Sequence, residues 1–191
     1  LRLLVSDVIE RIEVALRASL SNVLAIKYGI VWYSKKEPFS KAWNIKNKKG
    51  VTPSMFFSSE VNKIINNRHC EDFIKHYINY YSEPKTPPSW MILECLSLGS
   101  CTTAFRHLES VNDKKAICKI FNEHPSVIGS WLDSLRYTRN LCAHHSRLWN
   151  RWFVVEPIHS RSFGNIKTTE RSFHQQAIIL YKLNQSLSPD S

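Results

Sequence analysis

Residues 1–28 read LRLLVSDVIERIEVALRASLSNVLAIKY, and Leu1, Val5, Val8, Ile9, Ile12, Leu16, Leu20, Val23 and Leu24 recur at three- and four-residue steps. That spacing lays one apolar stripe along a helix and predicts a long core helix, which Gly29 ends. The stretch begins inside its own amphipathic pattern, with no capping residue and no initiator Met ahead of Leu1. An N-terminal portion of the natural protein is therefore expected to be missing.

Outward from that helix the same period persists. Ile30 to Pro53 mixes Trp32, Tyr33, Phe39 and Trp43 with Lys35, Lys36, Lys41, Lys46, Lys48 and Lys49, which reads as an ordered but irregular basic excursion near residues 30–53. Helices are predicted over Ser58 to Asn67 and Glu71 to Tyr81, and Pro84, Pro87 and Pro88 then impose a non-helical link. Ser89 opens the nearly all-apolar run Trp90 to Leu98, closed by Gly99, and a short helix over Thr102 to Glu109 follows. Asp113 is read as the cap of a helix reaching Phe121. Pro125 marks the start of a helix over Ser126 to Asn150, with Ile128, Trp131, Leu132, Leu135, Cys142 and Trp149 on its apolar face. An extended stretch around Phe153 to Ile158 and a loop with Gly164 lead to a last helix over Thr169 to Leu187. No segment sustains period-two alternation, so the fold class is all-α.

The 191 residues, 43% of them hydrophobic, suffice for a real core. Lys+Arg 26 against Asp+Glu 16 gives a net charge of +10, so a polyanion such as nucleic acid is the first partner to consider, against the simpler reading of a solvated basic surface. Cys70, Cys95, Cys101, Cys118 and Cys142 are odd in number and never form CxxC, the pattern of reduced thiols in a cytoplasmic protein. No apolar run has the length of a membrane span, so no membrane partner is expected.

The chemistry sits in Arg139-Asn140-Leu141-Cys142-Ala143-His144-His145-Ser146-Arg147-Leu148-Trp149-Asn150-Arg151. An Arg-x4-His frame alone is a weak signal. Asn beside the Arg makes a chance match much rarer, and the longer string is more specific again. Three blocks, LRLLVSDVIERIEVALR at the start, PPSWMILECLSLGS from Pro87 and RNLCAHHSRLWNRWF from Arg139, occur in the order and form found in one family. On these the chain resembles the Abi-like (AbiD/AbiF) branch of the HEPN superfamily, and the resemblance covers nearly its whole length as one Abi-like HEPN domain.

The resemblance implies a HEPN-like helical bundle, a homodimer whose two motif helices meet in a composite ribonuclease site, and a role in abortive infection against phage. It carries Arg139, Asn140 and His144 onto the catalytic positions. Arg136, His145, Arg147 and Arg151 are the expected RNA-binding residues, and some relatives are associated with a small structured RNA. The same Arg and His residues could also hold a structured RNA without cutting it, because the superfamily includes non-catalytic binders, or serve as a dimerisation scaffold.

Elementary chemistry agrees with the nuclease reading. Attack of a 2′-hydroxyl on the adjacent phosphate needs no cofactor, only proton transfer and charge stabilisation. An imidazole exchanges a proton near neutral pH, a guanidinium fork suits the phosphorane oxygens, and an amide can orient either. DNA lacks the attacking hydroxyl, so the reading implies RNA selectivity at the chemical step.

An ideal helix places Asn140 and His144 as i,i+4 neighbours with Arg147 and Arg151 on their side, but sets Arg139 about 100° from Asn140, nearer the apolar face. Arg139 is then open to a structural ion pair as well as to catalysis. Trp149, Trp152 and Phe153 are read as core rather than as stacking platforms. A metal site from His144, His145 and His69-Cys70 is set aside, because adjacent histidines on a helix diverge and no HxxxH pair exists. The Lys35 to Lys49 stretch is open to RNA binding or to mere solubility.

Overall fold

The computed structural model describes residues 1–40, 51–164, 166 and 169–188, and within them the protein is all-α. The helices are α1 (Arg2–Tyr28), α2 (Pro53–Ile65), α3 (Asp72–Tyr80), α4 (Ser89–Cys95), α5 (Leu98–Arg106), α6 (Val111–Cys118), α7 (Pro125–Ala143) and α8 (Phe173–Leu187). Short 3-10 turns occupy Trp32–Ser34, Lys119–Phe121 and Arg161–Phe163.

The chain forms two compact units, one of Arg17–Ala116 and one of Leu1–Leu16 with Ile117–Ser191. Helix α1 contributes residues to both, and most of its stripe is buried: Val5, Ile9, Ile12, Leu16, Leu20 and Leu24 are core residues, Val8 and Val23 are half-buried, and Leu1, ahead of the first turn, is exposed. Each such side chain contributes roughly 1.5–3 kcal/mol by leaving water, far more than helix propensity alone provides.

In the Arg17–Ala116 unit the aromatic excursion supplies core. Trp32 packs against Tyr33, Phe39 and Phe57 with ring centroids 6.0–6.4 Å apart, and Phe39 stacks on Phe57 at 5.4 Å. Residues 41–50, which carry Trp43 and the lysines from Lys41 to Lys49, lie outside the described residues. Asp113 does not cap its helix. Ser110 Oγ accepts from the Asp113 N–H at 3.2 Å, while the buried Asp113 carboxylate accepts from Lys27 Nζ at 2.7 and 3.0 Å and from Tyr28 Oη at 2.7 Å.

Two further boundaries move for identifiable reasons. Thr52 Oγ1 caps α2 and Pro53 opens it, so that helix begins five residues before the expected Ser58. Gly99 does not close the apolar helix. Leu96 leaves helical geometry first, Ser97 Oγ accepts from the Ser100 N–H at 3.1 Å, and Gly99 falls in the first turn of α5.

Candidate functional site

Helix α7 carries the motif and is fixed from its buried side. His124 Nδ1 accepts from the Ser126 N–H at 3.3 Å and Pro125 occupies the first turn, where its missing N–H costs nothing. Trp131 stacks on Phe163 at 5.4 Å and donates from Nε1 to the Ile158 carbonyl at 2.8 Å. Ser134 and Thr138 both donate to the buried Gln176 Oε1 of α8, at 2.7 and 3.3 Å. With Ile128, Leu132, Leu135, Leu141 and Cys142 also buried, the rotation of α7 is set and its outer face is determined.

That outer face reads Arg136, Arg139, Asn140, Ala143 and His144, all exposed. The steps are i, i+3, i+4, i+7 and i+8, a single helical stripe. Arg139 thus lies beside Asn140 on the solvent side, not near the apolar face as an ideal wheel drawn to Asn150 implied. Neither it nor Asn140 nor His144 has a side-chain hydrogen bond or ion pair among the described residues, so the structural ion pair considered for Arg139 is not formed there.

The helix stops seven residues short of the expected Asn150. His144 is its C-cap, with φ −91° and ψ 17°, and His145 follows at φ 54°. The Ser146 N–H donates to the Leu141 carbonyl at 2.8 Å and the His145 N–H to the Cys142 carbonyl at 3.1 Å. These two bonds with a left-handed residue between them are a Schellman termination, in which histidine stands where glycine is usual. The i,i+4 relation of Asn140 and His144 survives, with the His144 N–H donating to the Asn140 carbonyl at 3.0 Å.

Arg147 and Arg151 do not continue the stripe. Both follow the helix: Arg147 is exposed, and the half-buried Arg151 makes a long 3.5 Å hydrogen bond from Nη2 to Tyr137 Oη. The expected core role holds for Phe153 but not for Trp149 and Trp152, which are 70% and 68% exposed. The sequence pattern favoured core over stacking for these two, and their exposure reverses that preference. The signal that could have found them is Asn150, a residue tolerant of the left-handed region, which here has φ 48° between the two indoles.

Around the end of α7 a cleft of about 730 Å³ is lined by the first turns of α1 together with Cys142, His145, Arg147, Leu148 and Trp149. Burial pushes the Cys142 thiol above its ordinary 9.0, against a smaller opposing influence from a Ser6 hydrogen bond and the Arg2 charge. Cys142 packs as a buried core side chain. All five cysteines are free, and among the described residues no three or more His, Cys, Asp or Glu side chains are grouped to hold a metal ion. No helix among them is long and apolar enough to cross a membrane.

The sequence model of the Abi-like protein family matches residues 1–150 of the chain, from the first turn of α1 to one residue short of the end of the motif string. The chain belongs to the Abi-like protein family. No curated protein and no solved structure matches this Abi-like protein. Family membership supports a role in abortive-infection defence. The matched span holds every residue of the exposed stripe, whereas Arg151, Trp152 and α8 lie beyond it.

Proposed function

We propose that this Abi-like protein is an endoribonuclease of the HEPN type that acts in abortive infection. The observation that carries the reading is the stripe Arg136, Arg139, Asn140 and His144, exposed and without side-chain partners among the described residues, on the outer face of a helix whose inner face is anchored. Guanidinium, amide and imidazole groups left unpaired on one rigid face form a donor array suited to a phosphodiester.

In the proposed reaction the RNA 2′-oxygen attacks the adjacent phosphorus as its proton passes to an imidazole. The bond from phosphorus to the 5′-oxygen breaks, and that oxygen takes up a proton. The products are a 2′,3′-cyclic phosphate and a 5′-hydroxyl. Arg139 stabilises the charge on the non-bridging oxygens, and Asn140, one turn below His144, orients the imidazole or a phosphate oxygen. Two proton transfers call for two groups, which supports a homodimer in which His144 of each copy faces one site. Arg136, His145, Arg147 and Arg151 would add RNA contacts around it.

The test incubates end-labelled RNA with the wild type and with His144→Ala in EDTA, both checked for folding, and identifies the product termini. The reading expects cyclic-phosphate ends from the wild type alone. Cleavage by both proteins refutes the assignment of His144. Binding by both with no cleavage replaces the nuclease with a non-catalytic RNA-binding module.

A further inference from the structure

We propose that the cleft between residues 149–152 and 169–174 is a base-stacking subsite, in which Trp149 and Trp152 take a nucleobase of single-stranded RNA. The proposal rests on the RNA reading above and extends it to residues outside the motif stripe.

A single exposed indole is unremarkable on a protein surface. Here two of them line the same cleft of about 490 Å³, and each is held in place. The Arg171 guanidinium lies 5.6 Å from the centroid of the Trp152 ring. That guanidinium is itself fixed, donating from Nε to Glu156 at 2.8 Å and from Nη1 to the Val154 carbonyl at 3.0 Å. Trp149 meets Phe173 edge to face, with centroids 6.4 Å apart.

The backbone of the two walls is tied as well. The Phe153 N–H donates to the Arg171 carbonyl at 2.8 Å, and the Arg171 N–H to Gln175 Oε1 at 3.0 Å. Asn150 and Arg171, one on each wall, both sit in the left-handed region at φ 48° and 52°. Asn tolerates that region readily, but an Arg held in it, as Arg171 is, needs surrounding structure to enforce it. Aromatic faces so restrained lose little freedom on binding, which is what a stacking platform requires.

Charge narrows the occupant. The cleft carries Arg151 and Arg171, the latter paired with Glu156, beside His174 and Glu170, and among the described residues the buried Arg151 Nε has no acceptor. Flat π surfaces beside guanidinium groups, on a chain of net charge +10, match a base attached to phosphate better than they match an apolar peptide. Trp149 also lines the neighbouring cleft that holds His145 at the end of the motif helix. A strand whose scissile phosphate meets the motif stripe would place a flanking base here, giving a tolerance for any base with purines favoured by their larger face.

The experiment measures fluorescence anisotropy of a cleavage-resistant 2′-O-methyl hexaadenylate with wild type, Trp149→Ala, Trp152→Ala, Trp152→Phe and Arg139→Ala, at fixed salt and with Tm checked. An abasic backbone of the same length and free AMP are the comparison ligands. Each indole that stacks should weaken hexamer binding roughly 5- to 150-fold when truncated to Ala, with Trp152→Phe restoring most of it. The abasic strand should bind weakly and be indifferent to both Trp→Ala variants. Unchanged hexamer binding in both, alongside weakening in Arg139→Ala, overturns the subsite and leaves the RNA reading standing. No binding of either strand by the wild type at low salt removes the RNA reading and the subsite with it. AMP binding as tight as the hexamer, lost in Trp152→Ala, overturns the polymer as the occupant.

Discussion

Replacing His145 with Gly should make the protein more stable. His145 holds φ 54° between the two bonds of the helix termination, the conformation in which a Cβ meets the following carbonyl. That contact costs an L-residue about 1–2 kcal/mol, and less for histidine than for a β-branched residue. Glycine removes it but adds conformational freedom to the unfolded chain, worth roughly 0.5–1 kcal/mol in the opposite direction. The net gain is about 0.5–1 kcal/mol, or a Tm rise of about 1–4 °C for a chain of this size. Two controls separate backbone from side chain. His145→Ala keeps a Cβ and should not gain, and His144→Gly, at φ −91° with no strain to relieve, should lose about 0.5–1 kcal/mol. Thermal unfolding of the three variants by circular dichroism is the assay. Equal shifts for His145→Gly and His145→Ala, or a lowered Tm for His145→Gly, would falsify the account. The same glycine variant should still cleave RNA but bind it more weakly, because the reading gives proton transfer to His144 and an RNA contact to His145.

Other expectations follow from the buried polar groups and the exposed stripe. Asp113→Asn should cost about 2 kcal/mol, because hydrogen bonds that involve a charged partner are worth roughly 1.5–3 kcal/mol. Burial alone would raise the Asp113 pKa, but the hydrogen bonds from Lys27 and Tyr28 outweigh it and hold the carboxyl below its ordinary 3.8. A depressed folded value means that this stability is present above the ordinary carboxylate range and is lost as pH falls through the folded value. The Tm difference between wild type and Asp113→Asn should therefore be constant from neutral pH to about 5 and shrink below about 4; a difference that grows on acidification reverses the sign and refutes it. Gln176→Ala should cost about 2–4 kcal/mol in denaturant unfolding, since it opens a cavity and leaves Ser134 Oγ without its 2.7 Å acceptor. Arg139→Ala, on an exposed side chain with no partner among the described residues, should keep Tm within about 2 °C while reducing RNA cleavage, and a large loss of stability would return Arg139 to a structural role.

The fold class was legible because the helical period is strong where it matters: Leu16, Leu20 and Leu24 are buried as their spacing demands. The motif helix was legible at its start, where Pro125 announces it, and misread at its end. Leu135, Cys142 and Trp149 are seven residues apart, so the apolar pattern continues past Ala143 without a break. No glycine or proline marks the stop, because His145 adopts the left-handed geometry itself. Two consequences stayed hidden for that single reason: Arg147 and Arg151 leave the stripe, and Trp149 turns outward. The placement of Arg139 was ambiguous for a different cause. Its angle on the wheel is intermediate, and only the contacts of Trp131, Ser134 and Thr138 with other parts of the fold decide which way the helix is rotated. Asp113 shows the same limit on a smaller scale. A carboxylate three residues into a helix reads as a cap until a lysine and a tyrosine 86 and 85 positions away claim it.

The unit that bears the motif is assembled from Leu1–Leu16 and Ile117–Ser191, with Arg17–Ala116 intervening in the chain. On the ribosome the intervening unit emerges whole before the other can close, since the Ile117–Ser191 part of that other unit is made after it. Gln176, to which Ser134 and Thr138 bond, is translated some forty residues after them, so a nascent or prematurely ended chain holds the motif without the support that orients it. Under the nuclease reading proposed above, the order of synthesis would then act as a safeguard: a chain interrupted midway would carry the motif without an ordered site.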